Sequence, residues 1–141
     1  MTPQAPAPPA IAGLPPLAWQ HTPVAADHHT GWQALSLTAG PGTDWFVDPV
    51  GEYRTHNAPA LLFACPDGEF ALSARVTVDF TAAFDAGVLC LRIDEEHWAK
   101  LCFEYSPAQP TLTAVAQRHA AGPSGDHPLA DDFDAWRARL G

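Results

Sequence analysis

The stretch EFALSARVTVDF, residues 69–80, alternates along its whole length. Phe70, Leu72, Ala74, Val76, Val78 and Phe80 fall on one side of an extended chain, and Ser73, Arg75, Thr77 and Asp79 on the other. Successive side chains of a strand point to opposite faces, whereas a helix would scatter these six apolar residues around its circumference. The stretch reads as a strand with one face in a core and one in water.

Reading outward toward the C-terminus, FDAG (84–87) is turn-like, and VLCLRI (88–93) and WAKLCFEY (98–105) flank the acidic DEEH (94–97). Two β-rich runs about a short polar loop predict a hairpin. A two-residue loop at Glu95-Glu96 would pair Ile93 with Trp98 and Leu91 with Lys100, mixing charge and hydrocarbon on each face. A three-residue loop at Glu95–His97 pairs Leu89 with Phe103, Leu91 with Leu101 and Ile93 with Ala99, so that one face is wholly apolar. The opposite face then carries Cys90, Arg92, Trp98, Lys100, Cys102 and Glu104. A one-residue slip exchanges the faces, so the second register is expected. It sets Cys90 opposite Cys102, either as a redox-sensitive pair or as two small half-buried thiols.

The remaining signals are shorter. Leu35 and Leu37 alternate with polar residues in WQALSLTAG (32–40), and PALLFAC (59–65) reads as a strand buried on both faces. TLTAVAQR (111–118) is a weaker strand after the turn SPAQP (106–110). Residues 1–23 hold seven of the 15 prolines and predict an extended or flexible Pro/Ala-rich arm, with one domain over 24–141. Residues 119–134 are Gly/Pro/Asp-rich and predict a loop, and AWRARLG (135–141) is a short strand or one helical turn. Many short strands with a polar and an apolar face predict an all-β protein, antiparallel and stacked as a β-sandwich.

Composition narrows the function classes. The chain has 141 residues, of which 47% are apolar and only 16% charged. Sixteen Asp and Glu against seven Lys and Arg give a formal charge of -9, which disfavours nucleic acid and anionic membrane surfaces as partners. The first residues lack the basic and apolar segments of a secretory signal, and no run approaches the ~18 apolar residues of a spanning helix. Three cysteines without CxxC spacing predict neither a disulfide scaffold nor a structural zinc site. A cytoplasmic protein with reduced thiols is expected.

TDWFVDP (43–49), NAPALL (57–62), EFALSARVTVDF (69–80), FDAGVLCLRID (84–94) and HWAKLCFEYSP (97–107) follow one another in an order that resembles the domain of unknown function 1349 family, also called regulation-of-enolase-like. The specific part is a D-x-G, D-x-x-x-W-x-K and E pattern at Asp85, Gly87, Asp94, Trp98, Lys100 and Glu104. The resemblance spans roughly residues 15–118. It implies a jelly-roll sandwich of the concanavalin A-like lectin/glucanase class without established catalytic machinery. One family member is associated with regulation of enolase, and relatives in the wider superfamily bind saccharides. Such sandwiches need roughly a dozen strands and about seven are legible here, so the resemblance implies a chain that stops short, with open sheet edges.

The candidate site is the polar face of the hairpin: Trp98, Lys100, Glu104 and Arg92, with Asp85 at the mouth of the turn. Arg75, Ser73 and Thr77 join it if 69–80 is the neighbouring strand. Asp44 and Asn57, in the family-like stretches, are further candidates; Asp44 equally suits a turn cap. An indole beside donors and acceptors suits a saccharide, which stacks its C–H groups and is held by its hydroxyls. The same residues equally make an ion-paired, solvent-side face that braces the sheet. The leading expectation is a non-enzymatic binding module for a saccharide or sugar-like metabolite. The alternative is a protein-interaction or regulatory module acting on a metabolic enzyme. A glycoside hydrolase would need two carboxyls about 5–10 Å apart, such as Asp85 and Glu104, and the superfamily's E-x-x-x-E-like acid signature is absent. DHH (27–29) reads as a polar surface loop, because adjacent residues of a strand cannot both face one ion. No metal and no cofactor are expected.

Overall fold

The computed structural model describes residues 5–48, 50 and 52–118. Among them are nine strands and no helix: β1 Ala18–His21, β2 Ala25–His29, β3 Ala34–Thr38, β4 Trp45–Val47, β5 Arg54–His56, β6 Ala60–Leu62, β7 Ala86–Arg92, β8 His97–Tyr105 and β9 Pro110–Arg118. Every pairing is antiparallel. The protein is therefore all-β, as the alternation predicts. None of its described elements is a helix that would cross a membrane.

The chain divides into two compact units, Met1–Ala74 and Arg75–Gly141, where the sequence reading has one domain after residue 23. The first unit holds three two-stranded sheets: β1 with β6, β2 with β3, and β4 with β5. The expected arm of residues 1–23 is shorter than its composition suggests. Ala18–His21 are already a strand, and the Trp19 indole donates to the carbonyl of Pro6 at 2.9 Å. Asp27, His28 and His29 lie in β2 rather than in a loop, paired with Ser36, Leu35 and Ala34. Trp45 is buried, and its ring meets His56, its ladder partner, edge to face at 6.5 Å.

The second unit is built on a β7-β8-β9 meander. Its first hairpin corrects the expected register. Leu89 pairs with Leu101, Leu91 with Ala99, and Arg92 with Trp98. The loop is still three residues, but it is Asp94–Glu96, closed by the Ile93 N–H donating to the His97 carbonyl at 3.0 Å. The cause is Asp94. Its Oδ1 accepts the N–H groups of Glu96 and His97, each at 2.8 Å, which fixes the aspartate as the first loop residue. Starting the loop one residue earlier slides the ladder by two, so the faces keep their predicted membership. Cys90, however, lies opposite Lys100, and Cys102 opposite Val88; the two thiols are not a facing pair.

The second correction concerns the opening stretch. Residues 69–80 carry no helix or turn and, among the described residues, belong to no ladder. Within the second unit, Val76, Val78 and Phe80 are half-buried, and Arg75, Thr77 and Asp79 are exposed, so the predicted alternation is present. The apolar side chains reach the sheet by stacking rather than by pairing. Phe80 meets Phe103 and Tyr105 at centroid distances of 5.4 and 5.7 Å. Val76 and Val78 lie directly over Gly87, which pairs with Phe103. Period two dictates an extended backbone and the side that is buried; it does not dictate which strand, if any, supplies hydrogen bonds.

Gly87 is the position where the strip meets the sheet, and a Cβ there collides with Val76 Cγ1. Gly87→Ala is expected to lower stability by about 1–3 kcal/mol through overpacking. A chemical-denaturation midpoint equal to that of the parent would mean that the strip does not rest on this residue.

Candidate functional site

The ladder assigns the predicted site residues to their faces. Ala86, Val88, Cys90 and Arg92 of β7 share a face with Trp98, Lys100, Cys102 and Glu104 of β8 and with Thr111, Thr113 and Val115 of β9. Arg92, Trp98, Lys100 and Glu104 thus share one face, with Arg92 opposite Trp98 at one end of the β7-β8 ladder and Glu104 opposite Ala86 at the other. Their environment differs from the expected solvent-side surface. Trp98 is 3% exposed and Cys102 0%, and both are core residues. The Lys100 ammonium stands 5.9 Å from the centroid of the Trp98 ring. The indole therefore packs within the protein and presents almost no open face. Glu104 Oε1 accepts the Thr113 hydroxyl at 3.1 Å, a cross-strand bond between β8 and β9. Arg92 is half-buried, and its Nε finds no hydrogen-bond partner among the described residues.

Asp85 is engaged in shaping its own turn. One oxygen, Oδ2, accepts the Thr81 N–H, the Thr81 hydroxyl and the Ala82 N–H, each at 2.8 Å. The Thr81 N–H, the Ala82 N–H and the Thr81 hydroxyl together hold its carboxyl below the usual carboxylate range. The turn so held places exposed Phe84 at φ 70°, a conformation costly for an aromatic residue. It is stitched to the sheet on both sides: the Phe84 N–H donates to Tyr105 O at 2.7 Å, and the Tyr105 N–H to Asp85 O at 3.0 Å. Asp94 resembles Asp85 in function. The His97 ring and the Glu96 N–H lower its pKa, and His97 Nδ1 lies 2.8 Å from its Oδ1.

Arg75 is exposed, and among the described residues no ladder makes its segment, with Ser73 and Thr77, a neighbour of β7. Asp44 and Asn57 are brought together in the first unit, at the open end of the β4-β5 hairpin. Asn57 Oδ1 accepts the Asp44 N–H at 2.9 Å and the Thr55 hydroxyl at 3.1 Å. The Asp44 carbonyl accepts the Asn57 N–H at 3.0 Å, and its carboxylate accepts the Trp45 N–H at 2.7 Å. The pair is a clasp, built from two side chains that favour local backbone bonds. Among the described residues, no three His, Cys, Asp or Glu side chains gather as metal ligands.

Two surface features escaped the sequence reading. Trp32, at the β2-β3 hairpin tip, is 87% exposed beside His29, whose ring lies 6.3 Å away and whose Nε2 is 3.0 Å from Asp27 Oδ2. The other is the far end of the apolar face of the meander. Val76, Val78 and Phe80 cover that face around Gly87, Phe103 and Tyr105. Leu91 and Ile93, on the same side of the chain, remain 40% and 54% exposed. Leu91 and Ile93 continue the same alternation as Leu89, so periodicity does not separate the covered end of the face from the uncovered one.

An all-β chain with antiparallel sheets and a D-x-G turn feeding a Trp-x-Lys strand defines the class. A family model described as "Protein of unknown function (DUF1349)" matches residues 19–127, and the chain belongs to that family. No curated protein and no solved structure matches it.

Burial of Trp98 predicts that Trp98→Ala lowers stability by about 3–5 kcal/mol, as for other large-to-small core changes. Unfolding followed by circular dichroism checks this; an unchanged midpoint would return the indole to the surface. The depressed carboxyls also set a pH dependence. Their contribution is fully present above the unfolded value near pH ~4 and is lost as pH falls through the lower folded value. Asp85→Asn is therefore expected to flatten the acid decline of stability below about pH 4. An acid limb identical to that of the parent would show that the turn bonds do not persist in solution.

Proposed function

We propose that the chain is a non-catalytic binding module whose ligand is a protein, held on the uncovered end of the apolar face in residues 75–118. The observation that carries this reading is the exposure of Leu91 and Ile93, 40% and 54%, at the end of β7 and just beyond it. Burying apolar surface gains about 25 cal/mol per Å2, so such a strip favours a covering partner. The features required by the two rival chemistries point the same way. Trp98 offers a sugar no stacking surface, and Asp85 and Glu104 are each hydrogen-bonded within the sheet and its turn. Resemblance to regulation-of-enolase-like proteins makes a metabolic enzyme the first partner to try.

Titration calorimetry with purified enolase tests the reading. The parent chain is expected to bind, and Leu91→Ser with Ile93→Ser to weaken binding by tenfold or more while leaving the melt cooperative. Equal affinity of parent and double variant would overturn the assigned surface. A melting midpoint raised by a saccharide panel would overturn the ligand class, because a ligand that binds only the folded state raises it.

A saccharide reading keeps one specific support at a different place, the exposed Trp32 ring with the His29–Asp27 pair beside it. On that reading a sugar-dependent shift in the melt disappears in Trp32→Ala.

A further inference from the structure

We propose that the unladdered strip around Thr77 pairs antiparallel with the same strip of a second copy of this chain, making a two-fold dimer. The proposal goes beyond the protein partner assigned to Leu91 and Ile93 and uses a different surface. Residues 69–80 carry the strongest strand pattern in the chain, and burial alternates along 75–80, yet among the described residues no ladder includes them. Among the described residues, no backbone-to-backbone bond outside the ladders involves residues 69–80 either. The N–H and C=O groups of an extended, exposed segment are a template for another strand.

The sequence of the strip says which strand fits. Turned about a two-fold axis at Thr77, the strip sets Thr77 against Thr77, Val76 against Val78 and Arg75 against Asp79. Every apolar residue then meets an apolar one, every polar residue a polar one, and each charge its opposite. The two-fold repeats the Arg75–Asp79 and Val76–Val78 pairs, so each occurs twice. Cross-strand pairs of these kinds are the stabilising units of an antiparallel sheet. Arg75, Thr77 and Asp79 are exposed in the single chain, and the face that holds Val76, Val78 and Phe80 stays on its own sheet. Pairing therefore needs no rearrangement of the meander. An interface with the same patch on both copies is the commonest way for one chain to close on itself.

Sedimentation equilibrium of the full 141-residue chain tests this, with five sequences compared. The parent is expected to sediment as a reversible dimer. Thr77→Pro removes a donor from the centre of the ladder and breaks no hydrogen bond among the described residues, so it is expected to give a folded monomer. Arg75→Asp sets like charges against each other twice and is expected to weaken the dimer by about tenfold. Arg75→Asp with Asp79→Arg restores both pairs and is expected to return the dissociation constant to within about twofold of the parent. A parent that is monomeric at 100 µM, as when a later stretch of the same chain occupies the edge, overturns the proposal. So does a dimer that survives Thr77→Pro, or one that the double exchange fails to restore. Leu91→Ser with Ile93→Ser is expected to leave the dimer intact, which separates this edge from the apolar face.

Discussion

The Asp94 carboxylate fixes the register on which the second unit depends. By accepting the N–H groups of Glu96 and His97 it starts the hairpin loop at residue 94, and the whole ladder follows. That register puts Gly87 opposite Phe103, which leaves a gap on the apolar face for Val76 and Val78. It also puts Arg92 opposite Trp98 and Cys90 opposite Lys100. Any other even register would keep the two faces but move Gly87 away from Phe103 and spoil the seat of the strip.

Aspartate recurs as the fastening residue. Asp85 holds the strained turn before β7, Asp94 the hairpin loop, and Asp48 one end of the β4-β5 hairpin by accepting the Tyr53 N–H at 3.0 Å, while at the other end the Asn57 side chain accepts the Asp44 N–H. Sheets this small bury little apolar area, and side-chain bonds at their ends offset part of the ordering entropy. Residues that sequence patterning assigns to ligand recognition are here required by the backbone. An acidic residue beside a turn serves both purposes equally well until its hydrogen bonds are seen.

The sequence revealed unevenly what the structure contains. Alternation at Leu89, Leu91, Leu101 and Phe103 was enough to assign the faces, because face membership follows from parity alone. It was not enough to set the register, because every even shift preserves parity, and the choice fell to Asp94, whose side-chain bonds leave no periodic trace. β2 was missed because Asp27, His28 and His29 have no apolar member, and their strand is held by pairing with β3. Trp98 and Cys102 were placed toward solvent by the charges around them, yet they are the deepest side chains of the meander. Lys100 explains part of this: its ammonium lies over the Trp98 ring, 5.9 Å from the centroid, so a charged neighbour accompanies a buried indole. Residues 119–141, with the predicted loop and terminal strand or turn, lie outside the described residues.

Among the described residues, the strip around Thr77 is held by the side chains of Val76, Val78 and Phe80, and no ladder takes up its backbone. Amide hydrogen exchange followed by residue, at low and at high protein concentration, tests it most directly. In dilute protein the amides of Arg75–Asp79 are expected to exchange fast while those of Trp98–Cys102 are protected, and protection of Arg75–Asp79 is expected to rise with concentration. Strong protection of Arg75–Asp79 that does not depend on concentration would contradict the claim, because it would mean that the strip is already laddered within a single chain.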